Sequence, residues 1–157
     1  MPEFAEPVTP GENDSGITRR HLPHLARAGA TYFVTARLRA KPLTPAEVGF
    51  VKGQILAGDA RYYDLIAIQI MPDHFHALLR PRPGFSLRRV MKGIKGVSAR
   101  RLNQHRRSKG RLWQDESYDR IVRDQQELEE KIKYMFLNPV TVGLTTEPES
   151  YVGWYVK

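Results

Sequence analysis

The chain's pattern predicts an α+β fold of the ferredoxin-like split βαβ type, and three observations carry that prediction. Four short segments rich in β-branched and aromatic residues alternate with three segments of helical spacing, in the order β-α-β-β-α-β-α. The second and third strand segments are separated only by a tight reversal at Pro72-Asp73. Finally, 157 residues make one domain with a core of its own, and zero cysteines exclude a disulfide framework, a thiolate metal site and a cysteine nucleophile.

Residues 1–16 (MPEFAEPVTPGENDSG) read as a flexible leader, because Pro, Gly, Glu and Asn leave little to bury. The acids and prolines there also lack the positive start and apolar stretch of a signal peptide. A single domain is expected over 17–157. Thr31 to Leu38 has strand composition between Gly29 and Lys41-Pro42. Thr44-Pro45-Ala46-Glu47 supplies an N-cap, a first-turn proline and a capping-box acid for a helix ending near Gly58. Tyr63 to Ile70 is the second strand and His74 to Leu79 the third, paired with it.

Ser86 opens the second helix, with Leu87, Val90, Met91, Ile94 and Val97 at helical spacing. Gln104 to Gly110 reads as its basic exit loop. Residues 117–123 make a fourth strand. Asp124 then caps a helix with Glu127 at the capping-box position, and Asn138-Pro139 is expected to stop it after Leu137. The resulting picture is an antiparallel sheet with helices on one face and an additional C-terminal helix carrying Tyr134.

Charge is concentrated. The chain has 25 Lys+Arg against 17 Asp+Glu, a net of +8. Between Arg80 and Arg111 stand twelve basic residues and no acid, so the rest of the chain is mildly negative. Clustered cations of this kind make a field suited to a polyanion. Arg88, Arg89, Lys92 and Lys95 fall largely opposite the apolar stripe of the second helix, and Arg100, Arg101, Arg106 and Arg107 continue the basic run. These eight are the candidate residues of a surface for nucleic acid or another polyanion, and the DNA-binding residues if the polyanion is DNA. No apolar run approaches the ~18 residues needed to span a membrane, and the expected location is cytoplasmic, with the nucleoid.

Two further features carry chemistry. His74 and His76 lie at i and i+2 on a strand, so both imidazoles project from one face while Phe75 goes to the other. Two neutral imidazoles side by side form half a divalent-metal site. Tyr134 and Asn138 lie at i and i+4 on a helix and share a face. Asp73, next to the metal strand, is placed to orient a ligand. A tyrosine oxygen attacking phosphorus beside a Lewis-acidic metal would form a covalent phosphotyrosine. Tyr118 is the rival nucleophile, set among Asp115, Glu116 and Asp119. Trp113 reads as core rather than as a base-stacking platform, and Asn138 before Pro139 has the alternative reading of a simple helix end.

These residues resemble the single-tyrosine HUH transposases (His-hydrophobic-His), and within them the REP-associated tyrosine transposases. The matching blocks are Arg20-His21-Leu22-Pro23-His24, Gly29 to Thr35, Met71-Pro72-Asp73-His74-Phe75-His76-Ala77-Leu78, Leu112 to Arg120, and Tyr134 to Val140 with Gly143-Leu144. They span about 19–145 in family order. The resemblance implies His74 and His76 as metal ligands, Tyr134 as nucleophile and Asn138 as a third polar ligand, where the wider family often has Gln. It implies Mg or Mn as cofactor and cleavage of single-stranded or hairpin DNA to a 5′-phosphotyrosine and a free 3′-hydroxyl. Monomer and homodimer both stay open. The alternative from another class is a non-catalytic nucleic-acid-binding protein on the same fold.

Overall fold

Local sequence sets the helix starts. Thr44 accepts from the backbone N–H of Glu47 at 3.2 Å while Glu47 accepts from that of Thr44 at 2.9 Å, the reciprocal box that satisfies two orphan donors. Ser86 accepts from Arg89 N–H at 3.1 Å, and Asp124 from Glu127 N–H at 2.7 Å. The computed structural model describes residues 22–25 and 29–157; the leader 1–16 and His21 lie outside the described residues. Its elements are β1 (Tyr32–Arg37), α1 (Pro45–Gly58), β2 (Tyr63–Ile70), β3 (His74–Pro81), α2 (Leu87–Arg106), β4 (Tyr118–Ile121), α3 (Gln125–Thr141) and β5 (Trp154–Val156).

The strands form one antiparallel sheet in the order β4-β1-β3-β2-β5. The first four follow the expected ferredoxin-like order. Strand alternation then divides the core in two. Val34, Ala36, Phe75, Ala77 and Leu79 pack with α1 and α2 residues such as Val51, Ile55, Val90 and Ile94. Phe33, Ala67 and Leu78 pack with Leu128, Ile132, Met135 and Phe136 of α3. The additional helix therefore covers the second face of the sheet. This matters for function, because His76 belongs to the α3 side and the basic helix α2 to the other.

Strand ends shift by one or two residues, β3 reaching Pro81 and β4 spanning only Tyr118–Ile121, and three larger differences from expectation stand out. β5 extends the sheet beyond β2, and the turn before it needs Gly153: a Cβ there would clash with the Ile70 carbonyl oxygen. α2 continues to Arg106 before Arg107 turns left-handed, so Gln104 to Arg106 are helical rather than loop; Leu102 extends the buried stripe, whereas Val97 is exposed. α3 runs through Pro139 to Thr141 instead of stopping at Leu137. A proline inside a helix leaves the carbonyl four residues earlier without its donor. That carbonyl is Met135's, and Gln69 Nε2 of β2 donates to it at 2.9 Å. A side chain from the sheet thus lets the helix pass its proline. Among the described residues no helix is long and apolar enough to cross a membrane.

Candidate active site

β3 places His74 and His76 on the α3 face, with Phe75 fully buried on the opposite one against Trp113. The two imidazole centroids are 4.7 Å apart. Each ring is oriented through Nδ1. His74 Nδ1 lies 2.6 Å from the Asp73 carboxylate, which can only accept, so the ring donates from Nδ1. His76 Nδ1 is hydrogen-bonded to Thr35 Oγ1 at 2.7 Å, across the β1–β3 pair. With Nδ1 engaged in both rings, Nε2 is the nitrogen through which each would meet a metal.

α3 brings Tyr134 onto this pair. Its ring meets His76 edge-on at 5.5 Å and Phe33 at 6.4 Å. Asn138, one turn along, is buried, and its Oδ1 has no hydrogen-bond partner among the described residues. A buried amide oxygen without a partner is costly unless something binds it. Two imidazoles side by side, one of them backed by a carboxylate, and a buried amide oxygen without a partner are donors that suit a divalent ion, although among the described residues no third His, Asp or Glu joins the pair at ligand spacing.

The electrostatics of His76 favour the same use, whereas those of Tyr134 on balance do not. Burial, then the nearby His74, Arg37 and Lys131, push the His76 imidazole well below its ordinary value, so the ring is neutral and able to ligate. Burial raises the Tyr134 phenol, and the Arg37 guanidinium opposes that by favouring phenolate. Arg37 stands opposite His74 in the β1–β3 register, and the Lys131 ammonium lies 5.0 Å over the Phe33 ring. Thr35, Arg37, Lys131 and Gln69 are absent from the sequence-derived site. Only the alternation of β1, which puts Thr35 and Arg37 on one face, could have pointed to two of them.

The rival Tyr118 pairs with Thr35 across β1–β4 and so emerges on the same face, but it engages Arg120, which is also bound by Glu127. Trp113 is buried and donates to Ser98 Oγ at 2.8 Å, as a core residue does.

The basic run is less uniform than its sequence. Its helical part, α2, sits on the sheet face opposite the histidines. Lys95 donates to the carbonyls of Gln114 and Asp115 at 2.7 and 3.1 Å. Arg106 is turned inward as the fork partner of buried Glu47, at 2.7 and 2.9 Å, so its expected role on the DNA surface gives way to a structural one. Arg89 lies over Phe85 and Arg101 over Phe50. Arg88, Lys92, Arg100 and Arg107 carry no ion pair among the described residues and remain presented to solvent at least in part. Arg88, Lys92 and Lys95 line an open groove of about 920 Å³ running between α2 and the segment before β4.

The chain can be compared with known proteins. The family model described as Transposase IS200 like matches residues 56–135, just over half of the chain, and that stretch holds His74, His76 and Tyr134 but stops short of Asn138. The fold is similar to that of a REP-associated tyrosine transposase solved bound to a REP hairpin, with a TM-score of 0.61 at 18% identity over 84% of this chain and 77% of that one. A candidate transposase from Deinococcus radiodurans R1 gives a TM-score of 0.48 at 21% identity over 73% of this chain and 92% of that one. No curated protein matches at a significant level. By the extent of the family match, the chain belongs to the IS200-like transposase family, whose members process DNA.

Proposed function

We propose that the protein is a metal-dependent single-stranded DNA endonuclease and strand transferase that cleaves beside hairpin DNA through a 5′-phosphotyrosine. The observation that carries this reading is the Tyr134 ring edge-on to His76 at 5.5 Å, with His74 4.7 Å further on the same sheet face. The hairpin-bound transposase of similar fold supports the choice of a hairpin with a single-stranded flank as substrate.

The residues divide the work as follows. The Tyr134 oxygen forms a new bond to phosphorus as the bond to the 3′ oxygen breaks. The 3′ oxygen leaves as a hydroxyl once it takes up a proton, and the phosphate stays on the tyrosine. Arg37 favours the charged phenolate against the opposing effect of burial. His74, His76 and Asn138 Oδ1 would hold the metal, with Asp73 and Thr35 fixing the ring orientations. A Mg or Mn ion bound there supplies Lewis-acid polarisation of the phosphodiester oxygen. The exposed cations of α2 hold phosphates along the flank.

The test is a denaturing gel of the protein incubated with Mn and an end-labelled hairpin carrying a flank. The unmutated chain forms a protein–DNA band that migrates with the protein. Tyr134→Phe abolishes it while DNA affinity stays within a few-fold, and Tyr118→Phe retains it. A band that survives in Tyr134→Phe and disappears in Tyr118→Phe overturns the assignment of the nucleophile. No band from the unmutated chain overturns the enzyme reading and leaves a DNA-binding protein on this fold.

A further inference from the structure

Cleavage as proposed above requires the Tyr134 oxygen to sit at a fixed place relative to the histidine pair. One residue outside that set ties the two together. Gln69 of β2 is paired directly with His76 across the β2–β3 register, so both side chains emerge beneath α3. Gln69 is fully buried, on the side of the sheet filled by Phe33, Leu78, Ile132 and Met135. An amide in such a layer is costly unless its polar atoms are bonded.

Its Nε2 donates to the Met135 carbonyl, the residue after Tyr134. In a regular helix that carbonyl accepts from the N–H of residue 139. Residue 139 is proline and has none. Within the turn of α3 that joins Tyr134 to Asn138, the Met135 carbonyl is therefore satisfied by a side chain of the strand next to His76 and not by the helix backbone. An alanine at 139 would give that carbonyl a donor from the helix itself with no help from β2. Leucine at 69 would then suit the apolar surroundings better than glutamine, whose Oε1 has no hydrogen-bond partner among the described residues. Fold stability alone does not account for the Gln69–Pro139 combination.

We infer that Gln69 is a positioning residue for the cleavage step. Through the Met135 carbonyl it fixes the rotation and axial position of α3, and with them the distance from Tyr134 to His74 and His76. Pro139 makes the strand, and not the helix, the holder of that bond. A misplacement of about 1 Å at a reacting atom can cost on the order of 100-fold in rate. The inference rests on Tyr134 being the nucleophile.

The experiment compares four full-length proteins: unmutated, Gln69→Leu, Pro139→Ala and the double variant. Three quantities are read: the single-turnover rate of adduct formation at saturating hairpin DNA with Mn, the DNA Kd by fluorescence anisotropy, and the thermal midpoint. Gln69→Leu lowers the midpoint and slows adduct formation at least about tenfold, with Kd unchanged within about twofold. Pro139→Ala alone keeps the rate within about threefold. Adding it to Gln69→Leu restores the midpoint, because the backbone N–H gained at that position donates to Met135, but leaves the rate at least about tenfold down. If the double variant regains rate together with stability, Gln69 only patches the helix and the inference is wrong. A normal rate in Gln69→Leu also overturns it. If the unmutated chain forms no adduct, the nucleophile assignment fails first and the positioning role falls with it; an adduct with the unmutated chain separates the two failures.

Discussion

The Phe33 ring stacks on His76 with centroids 5.2 Å apart and an interplanar angle of 19°. This lid, with α3 above it, keeps His76 almost wholly from water, and the neighbouring cations Arg37 and Lys131 further disfavour its protonation. Below the ordinary imidazole value of about 6.5 the unfolded chain takes up a proton that the native site refuses. Stability therefore falls as pH drops through that value, by at most about 1.4 kcal/mol per pH unit from this group. Urea denaturation of the metal-free protein at pH 7.5 and 5.5 measures the slope. His76→Gln shows a shallower loss over the same interval; an equal loss places the titrating group elsewhere.

Asp73 accepts from His74 Nδ1 at 2.6 Å and is otherwise largely exposed, so its service to the site is to hold one tautomer and orientation of that ring. Asp73→Ala frees the imidazole to rotate and removes a negative charge behind it. Mn affinity measured by calorimetry falls about 10- to 100-fold while the thermal midpoint of the metal-free protein stays nearly constant. An unchanged affinity means that His74 is oriented by its strand alone.

The sequence was legible wherever local chemistry decided the outcome. The bounds of β2 are those expected, and Thr44, Ser86 and Asp124 cap their helices, because a cap is a contact among neighbours in sequence. The histidine pair and the face shared by Tyr134 and Asn138 follow from periods of 2 and 3.6. What was illegible depends on contacts between distant segments. The bond Pro139 cannot make to Met135 is supplied by a residue 66 positions before its acceptor, and Arg106 meets Glu47 across 59 positions. A charge run likewise says nothing about which face of a sheet it will cover. α2 lies across the sheet from the histidines, so DNA that touches both must pass an edge or an end of the sheet.

That arrangement sorts the basic residues into two kinds. Arg88 and Lys92 are exposed on α2 with no ion pair among the described residues, whereas Lys95 is held by two carbonyls and Arg111 is paired with Asp115. Replacing Arg88 and Lys92 together by Ala weakens DNA binding and reduces the slope of log K against log salt by up to about two. Lys95→Ala gives a smaller change in slope than Lys92→Ala. Anisotropy titrations over roughly a decade of salt concentration decide it. An unchanged slope in the double variant means that this face does not meet phosphate.

Arg106 should behave in the opposite way, because its partner is buried. The Glu47 side chain is only 2% exposed and closes the start of α1 onto the end of α2 through the Arg106 fork. Arg106 outweighs the effect of burial and draws the Glu47 carboxyl down from 4.5 to about 2. A depressed carboxyl contributes stability that is complete above its unfolded value and lost as pH falls through its folded one, so this contribution fades between about pH 4.5 and pH 2. Its size is roughly 3 kcal/mol. The Glu47 loss sets in well below pH 6.5, where the His76 loss begins, and the acid titration of stability steepens as this second contribution fades. Arg106→Ala leaves an uncompensated buried carboxylate and destabilises by roughly 3–5 kcal/mol at neutral pH, more than Glu47→Gln, which keeps an uncharged hydrogen-bonding partner for the guanidinium. The salt slope of DNA binding by any folded fraction of Arg106→Ala matches that of the unmutated chain, and a reduced slope would return Arg106 to the DNA surface.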